Sequence, residues 1–399
     1  MKFKVILLLT LLSSHVYTQN IDLNIGEVKS KGYYEEIGFE SIKDKIIIPV
    51  SIEGKDYRFI LDTGAPNIIS NEINNLISPE VLKKIPVSDA SGKNENLKLV
   101  SVKNLKLGNI EFINTGTLVY DLNSNPIFKC FGIDGFIGSN MLRKSIIQID
   151  RKKKILTITD SQKKLSLNKK ESIKIKLTEN QSSPYIWINL KGIDNGKENV
   201  LIDTGMDGFY DVSKRNYQII KEKEIFKVTG KSKGASSLSL FGDVPMEEHY
   251  ELLLPSLKII DTEFENVVTH TTNDNNSKIG AELLDYGIMT IDYKHKRFYF
   301  EPNSRKRNLK DLGFGFTRTL KDEKLIVGFV WDEELKAKLS YGDEILEINK
   351  KPVTICDLIT KEIINKNDEN IKMKIKSKEG EIFEIIINKK LKPTRAINH

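Results

Sequence analysis

Phe59-Ile-Leu-Asp-Thr-Gly64 returns later in the chain as Val200-Leu-Ile-Asp-Thr-Gly205, and this echo decides how the sequence is read. Each copy is an apolar run that ends in Asp-Thr-Gly. Two further segments repeat in step with it. Phe136-Ile-Gly-Ser-Asn-Met-Leu142 is matched by Lys278-Ile-Gly-Ala-Glu-Leu-Leu284, and Gln148-Ile-Asp-Arg-Lys-Lys-Lys154 by Thr290-Ile-Asp-Tyr-Lys-His-Lys296. The step from Gly64 to Gly138 is 74 positions and that from Gly205 to Gly280 is 75; Asp62 to Asp150 is 88 and Asp203 to Asp292 is 89. Three matched segments at matched offsets mark an internal duplication, which must be found before any other reading of a fold.

Both copies read as mostly β. Lys45-Ile-Ile-Ile-Pro-Val-Ser-Ile and Tyr185-Ile-Trp-Ile-Asn-Leu are short runs rich in β-branched and aromatic residues. A strand ending in Asp-Thr-Gly follows each. Later strands are expected at 97–107 and 251–259, a short helix from Asn140 or Glu282, and a closing strand at 155–159 or 297–300 after a Lys-rich turn.

An Asp-Thr-Gly turn after an apolar strand has a mechanical use. Gly64 and Gly205 permit a tight turn close to a neighbouring backbone. Thr63 and Thr204 can hydrogen-bond across a two-fold axis and lock two such turns together. Asp62 and Asp203 then project side by side. Two close carboxyls cannot both ionise cheaply, so they share one proton and titrate as a pair. The charged member can act as general base on water while the protonated one donates to a carbonyl oxygen. A lone Asp-Thr-Gly is an ordinary turn; two copies at equal distance from an Ile-Gly pair carry the signal.

On these residues the chain resembles the retropepsin-like aspartic peptidases, in a bacterial single-chain form. The matching positions are Asp62-Thr63-Gly64-Ala65, Asp203-Thr204-Gly205, Ile137-Gly138 and Ile279-Gly280. The resemblance covers about residues 35–302. It implies two β-barrel lobes, 20–165 and 166–302, that form one bilobal unit with Asp62 and Asp203 as catalytic dyad, and no cofactor or metal. It also implies a polypeptide substrate and, because one chain carries both lobes, a monomer; pairing of each lobe with another chain is the alternative. Met206 departs from the family pattern: a Ser there would hydrogen-bond the outer oxygen of the carboxylate. Asp207 beside it reads as a solvent-facing turn residue. Glycine-containing flaps are expected at 87–92 and 229–235.

Residues 303–309 are polar and charged and read as a linker. Beyond them, Asp311-Leu-Gly-Phe-Gly-Phe316 and Gly342-Asp-Glu-Ile-Leu-Glu-Ile-Asn349, with Pro352-Val353 after them, resemble a PDZ domain over 310–392. That likeness implies a loop at Gly313, Phe314, Gly315 and Phe316 offering backbone N–H groups to a peptide C-terminus, and a strand beside it for the peptide to extend. A helix at about 356–364 would line the groove.

The remaining composition sets bounds. The chain has 399 residues, 39% hydrophobic and 29% charged, enough apolar material for real cores. A net charge of +7 is spread along the sequence rather than gathered with aromatics, which argues against nucleic acid. Residues 1–19 read as an export signal, with Lys2 and Lys4 ahead of the apolar run 5–12, too short to span a bilayer. A periplasmic or extracellular location follows. Cys130 and Cys356 lie in different expected domains, so no disulfide is expected, and the five scattered histidines offer no zinc set. The sequence therefore supports an exported aspartic endopeptidase. A non-catalytic peptide-binding protein is the alternative.

Overall fold

The computed structural model describes residues 21–391, apart from 236, 237, 311, 362, 365 and 366. The expected export signal at 1–19 lies outside the described residues. The protein is mostly β, and each sequence repeat forms its own nine-stranded sheet, closed on itself by extra pairings. In the first half, Lys45–Ile52 and Lys55–Asp62 form a hairpin around Glu53-Gly54, both at positive φ, the loop geometry that suits twisted strands. Gly135–Gly138 lies parallel to Lys55–Asp62, with Ile137 opposite Leu61 and Gly138 opposite Asp62. The second half repeats this arrangement. Pro184–Lys191 pairs with Asn195–Ile202, and Lys278–Ile279 runs parallel to the end of that strand.

A six-stranded sheet joins the halves. Its central pair is Ile146–Asp150 against Gly287–Asp292, one strand from each repeat, antiparallel. The alternating apolar residues Ile147, Ile149, Ile291, Phe298 and Phe300 of this sheet are fully buried and continue the core of both halves. The duplicated Ile-Asp segments are therefore the seam of the molecule. Arg151 reinforces it, bonding Asp44 at 3.0 Å in the first half and Asp285 at 2.9 Å in the second.

The C-terminal residues form a separate six-stranded sheet. Phe316–Lys321, Lys324–Val330, Glu344–Ile348, Asn370–Lys376 and Ile382–Asn388 lie in that order, Lys351–Pro352 pairs with Glu344–Ile348, and the short helices are Glu333–Lys336 and Ile355–Thr360. The second helix is shorter than the expected 356–364. The expected linker is partly structured: Lys306–Asn308 runs parallel to Glu263–Glu265 of Thr262–Thr272.

The cysteine expectation is overturned. Cys130 and Cys356 form a disulfide, with Cα atoms 4.9 Å apart. Sequence distance was the wrong guide, because the helix carrying Cys130, Pro126–Phe131, packs directly on Ile355–Thr360. Local chemistry places that helix: Asn125 caps it through Ile127 N–H at 3.0 Å, Pro126 starts it, and Gly132 ends it at positive φ. Opposite the disulfide, the C-terminal sheet meets the second half. Val330 N–H donates to Ser232 Oγ at 3.0 Å, and Trp331 stacks on His270 with ring centroids 5.1 Å apart.

Replacing Cys130 with Ser should lower stability by about 2–4 kcal/mol, because the bond closes a very long loop. Urea unfolding followed by fluorescence would read the loss. Free thiols in a non-reducing peptide map of the wild type would sink the assignment.

Candidate active site

The two Asp-Thr-Gly turns meet, and their threonines do the joining. Thr63 Oγ1 donates to Ile202 O at 2.6 Å and accepts Thr204 N–H at 3.1 Å. Thr204 Oγ1 donates to Leu61 O at 2.8 Å and accepts Thr63 N–H at 3.1 Å. All four bonds are buried, so each side chain satisfies backbone groups that the strand ends would otherwise leave unpaired. The approach leaves no room for a side chain at either glycine. A Cβ on Gly64 would lie 2.5 Å from the Asp203 carboxyl carbon, and one on Gly205 would lie 2.3 Å from that of Asp62.

The Ile-Gly segments lie against the turns. Ser139 N–H donates to Ala65 O at 3.2 Å and Ala281 N–H to Met206 O at 3.0 Å. Beneath the first turn, Asn67 accepts Gly138 N–H at 2.7 Å, and Asn140 accepts Asn67 N–H at 2.8 Å. Ser139 Oγ donates to Thr63 O at 2.7 Å and sits 2.9 Å from Tyr293 Oη of the second half.

The two carboxyls are held differently. Asp62 Oδ1 accepts N–H from Gly64 and Ala65, each at 2.9 Å. Asp203 Oδ1 accepts Gly205 N–H at 2.9 Å, and its Oδ2 takes an ion pair with Lys278 at 2.8 Å. Lys278 Nζ is also 2.7 Å from Asp274. Burial and the neighbouring Asp203 charge push the Asp62 carboxyl up to about 7, against the pull of Lys278 and Lys45. Burial would raise Asp203 too, but Lys278 outweighs it and holds Asp203 below the usual carboxylate range. Lys278 thus favours the charge of the pair on Asp203, and burial beside that charge favours the proton on Asp62.

Asp62, Thr63, Gly64, Asp203, Thr204 and Gly205 are brought together. Gly313, Phe314, Gly315 and Phe316 lie elsewhere, at the edge of the C-terminal sheet. There Gly315 O accepts Trp331 N–H at 2.7 Å and Asp332 N–H at 3.0 Å, which fixes the loop from one side. Residues 87–92 do lie at a hairpin tip, between Glu80–Ser88 and Asn94–Leu107, with Asp89 Oδ1 accepting Ser91 N–H at 2.9 Å. The second expected flap, 229–235, does not: residues 229–234 lie within the strand Lys227–Gly234. Its glycines mark close backbone approach rather than a turn. A Cβ on Gly234 would lie 2.5 Å from Gly328 O, and one on Gly230 would lie 3.1 Å from Trp331 Cβ. The true reversal comes later. Phe241 N–H there reaches Asp89 Oδ2 at 3.0 Å, and Leu240 O accepts Tyr120 Oη at 2.8 Å, both in the first half.

Sequence reasoning missed Lys278 and Lys45. Lys278 occupies the position of Phe136 in the repeat, and a charge at a buried apolar position was the available signal. Lys45 offered none: it crosses from the first half to ion-pair with Asp207 at 2.7 Å and to donate to Gly205 O. Asp207 is thus both largely exposed and paired. Among the described residues no group of three or more His, Cys, Asp or Glu side chains is gathered as a metal site.

Comparison with known proteins agrees with this geometry in the first half. Residues 48–141 match the family model described as Aspartyl protease, a span that contains the first Asp-Thr-Gly turn and Ile137-Gly138 and stops short of the second. The chain is also similar to the foldase protein PrsA of Caldanaerobacter subterraneus subsp. tengcongensis. Identity is 22% over 250 residues, covering 62% of this chain and 75% of that protein.

Removing one threonine hydroxyl strands two buried backbone groups. Thr204→Val should therefore destabilise the fold by about 2 kcal/mol or more, measured by urea unfolding. The dyad also has a pH signature. Asp62 ionises at about 7 when folded and near about 4 when unfolded. Its contribution is full below about pH 4 and lost as pH rises to about 7, whereas that of Asp203 runs the other way, lost as pH falls. Stability of the wild type should therefore decline between those limits, and Asp62→Asn should flatten the decline. Equal slopes for the two proteins would contradict the assignment.

Proposed function

We propose that the protein is an exported aspartic endopeptidase that hydrolyses polypeptide with the Asp62/Asp203 pair. The observation that carries this reading is the two carboxyls brought together by the locked turns, with Lys278 ion-paired to Asp203; the cation favours a charged Asp203, and burial beside that charge favours a protonated Asp62. That is the division of labour that general acid–base hydrolysis requires.

Asp203 takes a proton from a bound water as the water oxygen attacks the peptide carbonyl carbon. Asp62 gives its proton to the carbonyl oxygen. The resulting tetrahedral diol collapses when Asp203 returns its proton to the amide nitrogen and Asp62 recovers one from a diol hydroxyl. The C–N bond breaks, a carboxyl and an amine leave, and the pair ends as it began. Both halves lie in one chain, so the catalytic unit is a monomer. The C-terminal sheet is read as a PDZ domain whose Gly313–Phe316 loop helps hold a polypeptide end. Export is supported by the disulfide, since such bonds persist in oxidising compartments. No helix among the described residues is long and apolar enough to cross a membrane.

The second reading, binding polypeptide without cutting it, is favoured by the likeness to a foldase. A binding surface has no need for two turns that each keep an aspartate at the same buried point, so hydrolysis accounts for more of the site.

Unfolded casein should be cleaved by the wild type, and both Asp62→Asn and Asp203→Asn should lose at least about 1,000-fold in kcat/KM, about 4 kcal/mol of transition-state stabilisation. Cleavage that survives in either variant would rule out the two-carboxyl mechanism. Absence of cleavage by the wild type, with casein retained in a pull-down, would favour binding alone.

A further inference from the structure

The repeat predicts an apolar residue before the second Ile-Gly, where the first half has Phe136 buried against Phe128. The chain has Lys278 there instead. Its side chain is largely buried, and its ammonium is 2.8 Å from Asp203 Oδ2 and 2.7 Å from Asp274 Oδ2. Lysine is almost never buried without a charged partner, and this one has two, one of them a member of the dyad. Asp203 Oδ1 is occupied by Gly205 N–H, so Lys278 takes the remaining, outer oxygen. Met206, the residue after the second Asp-Thr-Gly, has no hydroxyl to offer that oxygen.

Resting on the hydrolytic reading above, we propose that Lys278 is a positioning residue of the dyad. Its ammonium takes the outer oxygen of Asp203 in place of a turn hydroxyl, which assigns Asp203 as the water-activating carboxylate and leaves Asp62 as the proton donor. Two carboxyls related by a pseudo-two-fold axis are otherwise interchangeable; one cation on one side breaks the tie. Asp274 anchors the ammonium from behind, so the charge stays at the rim of the pair rather than between its members.

The charged and titratable groups around this ion pair come from several elements. Asp62 faces it from Lys55–Asp62, Lys45 from Lys45–Ile52, Asp211 from Tyr210–Ser213 and Tyr185 from Pro184–Lys191, with Asp274 on the loop just before Lys278. His270 acts on Asp211 from the far side. Lys45 is engaged by Asp207 and Gly205 O, which leaves Lys278 as the cation bonded directly to Asp203.

The test is a carbon NMR titration of the full chain carrying side-chain-labelled aspartate, with Asp62→Asn and Asp203→Asn used for assignment. In the wild type Asp203 should ionise before Asp62. In Lys278→Met the Asp203 signal should move up by about 1–3 pH units, and in Lys278→Arg it should return most of the way. The acid limb of the kcat/KM profile on casein should move in parallel. If Lys278→Met fails to fold because Asp274 is orphaned, the double variant with Asp274→Asn removes that charge and carries the same expectation. An Asp203 titration unchanged by loss of the ammonium would overturn the proposal, even if activity fell, since lost packing alone can lower activity while leaving the titration in place. A wild type that cuts nothing would sink the hydrolytic reading separately, because the NMR titration needs no turnover.

Discussion

The reciprocal hydrogen bonds between Thr63 and Thr204 constrain everything else in the site. Each hydroxyl donates to a carbonyl of the other half and accepts the other threonine's N–H, so neither turn can shift against the other without breaking four buried bonds. That registration forces Gly64 against the Asp203 carboxyl and Gly205 against that of Asp62. Once the carboxyls are that close and shielded from water, electrostatics permits them one negative charge between them at moderate pH. The shared strand pair Ile146–Asp150 and Gly287–Asp292 joins the two halves into one sheet and so helps hold the two turns in contact.

The C-terminal sheet adds a second kind of constraint. It touches the first half through the disulfide and the second through Trp331 on His270 and Val330 on Ser232, and so it spans both. The strand it packs on, Lys227–Gly234, leads into the segment that reaches Asp89 and Tyr120. Restraining that strand restrains the segment. The glycines at 230 and 234 are the concession the second half makes, since a side chain at Gly234 would collide with Gly328 O.

How much of this was legible follows from how each feature is encoded. The duplicated strand and turn segments were readable because local pattern and spacing carry them: Lys45–Ile52, Gly287–Asp292 and the Asp-Thr-Gly turns fall where the repeat put them. The disulfide was misread because pairing depends on docking between a helix at 126–131 and one at 355–360, which no local pattern reports. The second flap was misplaced because glycine has two uses, turning and admitting a neighbour, and sequence alone does not say which. Lys278 stood in plain view in the aligned repeat. Its meaning needed the side chain's direction, toward Asp203 rather than toward solvent.

That direction involves a trade. A cation on a general base lowers the base's proton affinity, and a weaker base accepts a proton from water less readily. Left to burial alone, however, both carboxyls would rise together and the pair would sit largely uncharged at acid pH, with no base at all. Lys278 secures an ionised Asp203 and Asp274 moderates its hold, because an ammonium shared between two carboxylates acts less strongly on each. Asp62, buried beside the Asp203 charge and with no cation bonded to it, keeps its proton to about 7. The asymmetry that catalysis would need thus rests chiefly on one departure from the repeat, Lys278 where the first half has Phe136.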